Sequence, residues 1–228
     1  GIMHDPRMPF SEAHSFNVLG TWKVLDLCVR HGVRKVVVLS SANVYGPRPD
    51  NSNFLAEETP LMAADRFSDV RDLIEVDMYA QSFVWRHPEI ETVILRPVNI
   101  VGPTVRNAPS NYLRLERPMT VLGFDPMVQL IHEEDVCRAL RLALRPGIRG
   151  VYNVAGPQPV PLTVVVREAG RTPVPLPEFV FSAAMGRFGL PRPPRGALDH
   201  IKYPIVIDGA PFRAATGFPH ENDEGRTL

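Results

Sequence analysis

The stretch Lys35-Val36-Val37-Val38-Leu39-Ser40-Ser41-Ala42-Asn43-Val44-Tyr45-Gly46 decides the fold. After Lys35 it is apolar and rich in β-branched residues, and small and polar residues then follow up to Gly46. A second stretch repeats the order, since Thr92 to Leu95 lead into Arg96-Pro97-Val98-Asn99-Ile100-Val101-Gly102-Pro103. This order is typical of buried parallel strands that carry polar residues at their carboxyl ends. In open α/β sheets that edge is where ligands bind.

Helical periodicity accompanies both strands. Ser11 to His31 carry apolar residues at helical spacing and are followed by Gly32, a common residue just after a helix. Ser68 to His87 show the same spacing, and residues 47–66 form a long polar loop before them. The order helix, strand, loop, helix, strand predicts a doubly wound parallel sheet of the α/β class.

The pattern changes after residue 103, where the apolar runs become shorter. The predicted elements there are a mixture of short helix and strand over 104–128, a helix over Glu133 to Leu144, a strand over Gly150 to Val154, a helix from Thr163 to Ala169, a short helix over Phe179 to Phe188 in a proline-rich stretch, a strand over Ile205 to Ile207 and a helix over Pro211 to Thr216. We therefore divide the chain into residues 1–103 and a smaller mixed α/β part over 104–228. The strands near 128–131 and 150–155 are left open to return to the first sheet.

Composition excludes several classes of protein. The 228 residues contain 25 basic and 25 acidic side chains, so no excess positive charge favours nucleic acid. No apolar run reaches the roughly 18 residues of a membrane span, and we expect no signal peptide. Cys28 and Cys137 lie in apolar helical patterns, and His132 has no second ligand at metal-binding spacing. We expect a cytoplasmic protein without a metal site.

The two strand segments resemble those of the extended short-chain dehydrogenase/reductases. Within that group they are similar to the NAD-dependent epimerase/dehydratase family, to which UDP-glucose 4-epimerase belongs. Leu130-Ile131-His132-Glu133-Glu134-Asp135-Val136 and Gly150-Val151-Tyr152-Asn153-Val154-Ala155-Gly156 also match the family pattern. The resemblance implies a Rossmann-like sheet that binds NAD or NADP. It also implies a C-terminal substrate part for a small molecule such as a sugar nucleotide.

The resemblance places a site on named residues of this chain. It implies Ser41 and Asn17 as catalytic positions, Ser40, Pro97 and Val98 beside the cofactor, and Asn43, Asn99 and Val128 beside the substrate. The residues alone allow a plainer interpretation, in which Ser40 and Ser41 only cap a strand-to-loop turn.

Two further positions depart from the family pattern of Tyr-x-x-x-Lys on the second helix. Phe67 stands at the tyrosine position and Arg71 at the lysine position. Phenylalanine has no proton to transfer, and loss of a general acid or base costs about 10²- to 10⁴-fold in rate. Arg71 keeps the positive charge and could bind ribose hydroxyls of the cofactor. Tyr45, Asp69 and Asp72 are the candidates that could substitute for the phenol.

Two other family features are not found in this sequence. No Gly-x-Gly-x-x-Gly loop occurs, although a dinucleotide pyrophosphate requires one after the first strand. Val128 or Gln129 occupies the place where related epimerases often carry an arginine for the nucleotide diphosphate. Counting family elements, we expect an N-terminally truncated copy that begins after the fourth strand, with a partial Rossmann-like sheet.

Three functions stay open at this point. The first is a NAD(P)-dependent sugar-nucleotide epimerase/dehydratase-like oxidoreductase fold with a degenerate Tyr/Lys pair and little or no catalysis. The second is a catalytically inactive ligand-binding or interaction protein on the same fold. The third is an enzyme like the 3β-hydroxysteroid dehydrogenases, which act on substrates without a nucleotide.

The resemblance also implies a homodimer through the helices over 11–31 and 68–87. Phe16, Trp22, Tyr79 and Phe83 are the predicted seam residues. In the alternative interpretation each helix simply buries one face on its own sheet.

Overall fold

A computed structural model describes residues 9–65, 70–180, 196 and 198–219. Phe67 and most of the predicted helix over Phe179 to Phe188 lie outside these residues.

The helices alternate with short strands along the chain. The helices are α1 (Phe10–His14), α2 (Gly20–Arg30), α3 (Arg71–Arg86), α4 (Ala108–Leu113), α5 (Glu133–Ala143), α6 (Leu162–Glu168) and α7 (Ala210–Thr216). A π turn (Ser15–Leu19) joins α1 to α2, and 3-10 turns cover Ala42–Val44, Ala63–Asp65 and Asp199–Ile201. The strands are β1 (Lys35–Leu39), β2 (Glu91–Pro97), β3 (Asn99–Val101), β4 (Met119–Val121), β5 (Met127–Val128), β6 (Leu130–His132), β7 (Gly150–Val154), β8 (Val160–Pro161) and β9 (Val174–Leu176).

The central sheet is parallel and has the order β1-β2-β7 in the described part of the chain. Val37 lies opposite Val93, and Leu95 lies opposite both Leu39 and Tyr152. The parallel sheet and its helices confirm the predicted α/β class. β7 follows α5 in sequence, yet it pairs with β2 in the sheet formed by the first half of the chain.

Alternation along β1 shows that helices cover both faces of this sheet. Val36 and Val38 pack against Leu25 of α2 and Phe83 of α3. Val37 belongs to the main core, which also contains Val136 of α5. Because successive strand residues point to opposite faces, α2 and α3 lie on one side and α5 on the other.

The predicted helix over Ser11 to His31 is helical but not uniform. The π turn interrupts it at the segment that contains Asn17, and the Thr21 hydroxyl donates to the Asn17 carbonyl oxygen at 2.6 Å. The π turn packs against α3. One turn earlier, His14 Nδ1 lies 2.8 Å from Asp72 Oδ1 and ties α1 to the start of α3.

Three strand pairs extend the structure beyond the central sheet. β3 pairs with β6 and β4 with β9 in parallel, whereas β5 pairs with β8 antiparallel. The prediction of a strand over Ile205 to Ile207 is wrong, since these residues make only isolated bridges, Ile205 to Val128 and Ile207 to Leu55. The reason lies in Gln129, whose side chain accepts from the Ile207 amide at 2.8 Å and occupies a ladder position.

The exposed helix residues agree with only part of the predicted dimer seam. Phe16 is 60% exposed, and Trp22 stacks on Tyr79 with 5.0 Å between ring centroids. Phe83 is only 1% exposed and packs against Leu25 and Ile90 within its own chain. Phe83 therefore cannot contribute to a seam, because the chain's own core already covers it.

Among the described residues, no helix combines the length and the apolar character needed to span a bilayer.

Close packing at Gly156 predicts a stability difference between two glycine substitutions. A Cβ at Gly156 would overlap the Leu130 carbonyl oxygen and lie 3.1 Å from Ile131 Cα. Gly156→Ala should therefore lower the free energy of unfolding by about 1–3 kcal/mol, as overpacking does. At Gly20, inside a helix, the nearest atom is 3.9 Å away, so Gly20→Ala should raise it by about 0.5–1 kcal/mol. Urea unfolding measures both, and equal effects would contradict the packing argument.

Candidate functional site

Two segments with polar side chains meet at the carboxyl edge of the central sheet. The strand β1 ends at Leu39, opposite Leu95 of β2, and the Ser40 amide continues the pairing by donating to the Leu95 carbonyl oxygen at 2.7 Å. The Val98 amide in turn donates to the Val154 carbonyl oxygen at 3.1 Å. The turn that begins at Ser40 and the segment Pro97 to Asn99 therefore lie side by side, as parallel strands require.

Ser41 begins the 3-10 turn that follows β1. Its Oγ accepts from the Asn43 amide at 3.1 Å, and its side chain is half-buried. This is the capping geometry of the plainer interpretation. A hydroxyl that accepts one hydrogen bond still has its proton, so Ser41 can also donate to a substrate oxygen.

The Ser40 side chain faces the interior of the protein and not the solvent at the carboxyl edge of the sheet. Its buried Oγ donates to Asp77 Oδ2 at 2.5 Å. The same carboxylate binds Arg96 in a bidentate pair, with 2.9 Å from Nε to Oδ2 and 2.6 Å from Nη2 to Oδ1. Arg96 and Asp77 are both fully buried, so the pair links β2 to α3 beneath the candidate site.

Tyr45 completes this buried network. Its hydroxyl accepts from Arg96 Nη1 at 2.9 Å and donates to Asn153 Oδ1 at 2.7 Å. Burial raises the pKa of the Tyr45 phenol above its ordinary value, against the opposing effect of the Arg96 charge. Tyr45, one of the predicted substitutes for the phenol, therefore holds its proton inside the core, where it is donated to Asn153.

The long loop over 47–66 is tied to the same network. Arg96 Nη1 donates to the Glu57 carbonyl oxygen at 2.9 Å, and Glu57 Oε1 accepts from the Asn153 amide at 2.8 Å. The Asn153 side chain donates to the Leu55 carbonyl oxygen at 2.9 Å. The contact from Arg96 fixes the loop against β2, and the two contacts of Asn153 fix it against β7.

The structure brings six of the sequence-predicted residues to one edge: Ser40, Ser41, Asn43, Pro97, Val98 and Asn99. Asn17 lies in the π turn against α3, and Arg71 is the exposed first residue of α3. Val128 lies on β5, where its backbone pairs with Val160 and bridges Ile205. The roles assigned to these residues stay predictions.

The other two predicted substitutes for the phenol are Asp72 and Asp69. Asp72 is paired with His14, and Asp69 lies outside the described residues. Within those residues no group of three His, Cys, Asp or Glu side chains is arranged to hold a metal ion.

Asp77 and Asn153 were missed by sequence reasoning. Asp77 stands between Ile74 and Ala80 at helical spacing, where an apolar residue is expected, and all three are buried. An acidic residue on an apolar stripe, together with an arginine in an apolar strand, is a signal for a buried pair.

A family model and a curated relative each match more than half of this chain. The model of the NAD dependent epimerase/dehydratase family matches residues 11–155. An uncharacterized protein of Mycobacterium tuberculosis (strain H37Rv) is 32% identical over 164 residues, which cover 72% of this chain and 44% of that protein. The chain therefore spans less than half the length of this curated relative.

Two solved structures share the fold at low identity. The dTDP-glucose 4,6-dehydratase of Bacillus anthracis, in complex with NAD, gives a TM-score of 0.70 at 20% identity. The match covers 94% of this chain and 65% of the dehydratase chain. The UDP-glucose 4-epimerase of Thermus thermophilus, also in complex with NAD, gives a TM-score of 0.66 at 20% identity. This match covers 98% of this chain and 70% of the epimerase chain.

The buried pair predicts a large effect of one charge removal. Asp77→Asn leaves the Arg96 charge buried without its partner and should lower the free energy of unfolding by about 3–5 kcal/mol. Asp26→Asn removes an equally short ion pair, 2.6 Å from Arg30, on the surface of α2. Its effect should stay below about 1 kcal/mol. Urea unfolding of both variants is the measurement, and similar losses would refute a special role for the buried pair.

Proposed function

The chain belongs to the NAD dependent epimerase/dehydratase family. From this premise we propose that it has the fold of a sugar-nucleotide oxidoreductase in which the Tyr/Lys pair for proton transfer is degenerate. It binds a sugar nucleotide through the carboxyl edge of the sheet, beside the nicotinamide end of NAD or NADP. Turnover is weak or absent because Phe67 and Arg71 stand at the tyrosine and lysine positions.

One observation carries this proposal. The register of β1 and β2 is continued by the hydrogen bond from the Ser40 amide to the Leu95 carbonyl oxygen, and it supports a site in which Ser41 lies near the segment Pro97 to Asn99. A hydroxyl and a carboxamide are thus held at the edge where α/β sheets bind ligands. The buried Arg96–Asp77 pair keeps both segments in place from below.

The substrate side of the site is polar but uncharged. Ser41 donates its hydroxyl proton to a sugar oxygen, and the amides of Asn43 and Asn99 bind sugar or phosphate oxygens. Val128 offers no charge where related epimerases often use an arginine. Because a charged hydrogen bond is about twice as strong as a neutral one, we expect weak binding of the diphosphate.

The cofactor fits this chain only in part. Pro97 and Val98 offer buried backbone for the nicotinamide, and the exposed Arg71 carries donors suited to ribose hydroxyls. Ser40 gives its proton to Asp77 and keeps only acceptor capacity. The sequence has no glycine-rich cradle for the pyrophosphate. When bound, the nicotinamide supplies hydride transfer, whereas this chain's own residues position the substrate.

A second function, an inactive ligand-binding or interaction protein, rests on Phe67, which has no proton to transfer. A homodimer remains part of the proposal, supported by the exposed Phe16 and the stacked Trp22 and Tyr79. Phe83 no longer belongs to that seam.

Ligand binding tests the positions of Ser41 and Asn99. In calorimetry, Ser41→Ala and Asn99→Ala should each weaken UDP-glucose binding by about 3- to 10-fold, the value of one neutral hydrogen bond. Ser52→Ala, an exposed serine of the long loop, should leave the affinity unchanged. NAD+ and NADP+ are titrated in parallel, on this chain and on any version that the reading frame extends upstream. No binding of UDP-glucose by either protein would end the proposal.

Restoration of the pair tests the proposed degeneracy. Phe67→Tyr combined with Arg71→Lys should raise NAD-dependent turnover of UDP-glucose at least about 10²-fold, because a phenol becomes available for proton transfer. Arg71→Lys alone is the matched control and should not change the rate. If the double variant binds NAD+ and UDP-glucose without any gain in turnover, the inactive binding protein is the better description.

A further inference from the structure

A cavity of about 350 Å³ lies where the end of β3, the helix α4 and the segment after α6 meet. Among its lining side chains are Arg106, Ser110, Arg114, His132 and Arg171, and we call it the arginine cavity. Its volume lies within the range of small-molecule sites. Its lining includes Val101 at the end of β3 but none of the predicted site residues that the structure describes.

Two buried polar atoms of the arginine cavity lack a hydrogen-bond partner: Ser110 Oγ and Arg171 Nε. Ser110 is only 5% exposed, and its backbone amide is already satisfied by Asn107 Oδ1 at 2.9 Å. The hydroxyl is therefore not needed to cap α4. A buried donor without a partner costs about 1–3 kcal/mol, so two in one cavity point to a ligand that accepts both protons.

Backbone carbonyls hold the other two arginines in place. Arg106 Nη1 donates to the Pro103 carbonyl oxygen at 3.0 Å. Arg114 Nη2 donates to the Val105 carbonyl oxygen at 2.9 Å, and its Nη1 lies 3.3 Å from Asn111 Oδ1. Neutral oxygens orient a guanidinium without neutralising it, so both charges remain for a ligand.

The acidic neighbour of the arginine cavity is Glu133 at the start of α5. The hydroxyl and the amide of Thr104 both donate to its carboxylate and hold the pKa of Glu133 below its ordinary value, with a smaller effect of the Arg106 charge. Glu134 also approaches the rim, 3.8 Å from His132 Nδ1, but its side chain is exposed to water. Three guanidinium charges against the Glu133 carboxylate leave two positive charges in the cavity.

We propose that the arginine cavity binds the phosphate group of a small phosphorylated metabolite. A phosphate monoester carries a charge of about −1.5 to −2 at neutral pH, which matches the two uncompensated positive charges. Guanidinium groups match the oxygens of phosphate in a bidentate geometry. The phosphate oxygens accept from Ser110 Oγ and Arg171 Nε, which satisfies both buried donors. The proposal does not depend on NAD or sugar-nucleotide binding at the sheet edge.

Inorganic phosphate is the probe, titrated by calorimetry at constant ionic strength. Arg171→Gln should weaken phosphate binding at least about 10-fold, and Ser110→Ala about threefold. The matched control is Arg141→Gln, which removes the same charge from the exposed side of α5 and should change the affinity less than about twofold. UDP-glucose binding should be unchanged in all three variants.

Ser110→Ala also separates an effect on phosphate binding from an effect on folding. The substitution removes an unsatisfied buried hydroxyl, so the thermal midpoint without phosphate should stay equal or rise. Weaker phosphate binding by such a stable variant supports the proposal. Three results would overturn it: no saturable phosphate binding, equal losses in Arg171→Gln and Arg141→Gln, or tighter and Arg171-dependent binding of succinate, which would assign the cavity to dicarboxylates.

Discussion

The structure depends on the buried ion pair between Arg96 and Asp77. Neither side chain reaches water, so each charge is stabilised only by the other and by hydrogen bonds from neighbouring groups. The carboxylate also accepts from Ser40 and Gln81, and the guanidinium reaches Tyr45. A strand, a helix and a turn are therefore positioned by one pair of charges, because any displacement would leave a charge unpaired in the core.

This network fixes the turn that follows β1 and the segment that follows β2. The turn at Ser41 is held through its neighbour Ser40 and through Tyr45, and neither contact involves residues 67 or 71. The segment Pro97 to Asn99 follows Arg96 directly. Residues that position the site and residues that would perform proton transfer are thus different sets, and one set can change while the other stays.

Sequence patterns predicted the parts of the fold that apolar periodicity determines. The β-branched runs gave β1 and β2, and helical spacing gave α2, α3 and α5, because burial alone selects these elements. The π turn at Asn17 and the bridge between the Gln129 side chain and the Ile207 backbone involve specific side-chain hydrogen bonds, which periodicity does not encode. The arginine cavity assembles from distant segments, so no local pattern contains it.

Val128 illustrates a position at which the fold does not depend on the charge of the side chain. It joins Val160 and Ile205 through its backbone, which any residue except proline provides. Its side chain is only half-buried, and a longer side chain can lay its methylenes along apolar surface while its end reaches solvent. The architecture therefore tolerates either a neutral or a cationic residue here. A single codon can then change the charge at this point of the surface while folding stays the same.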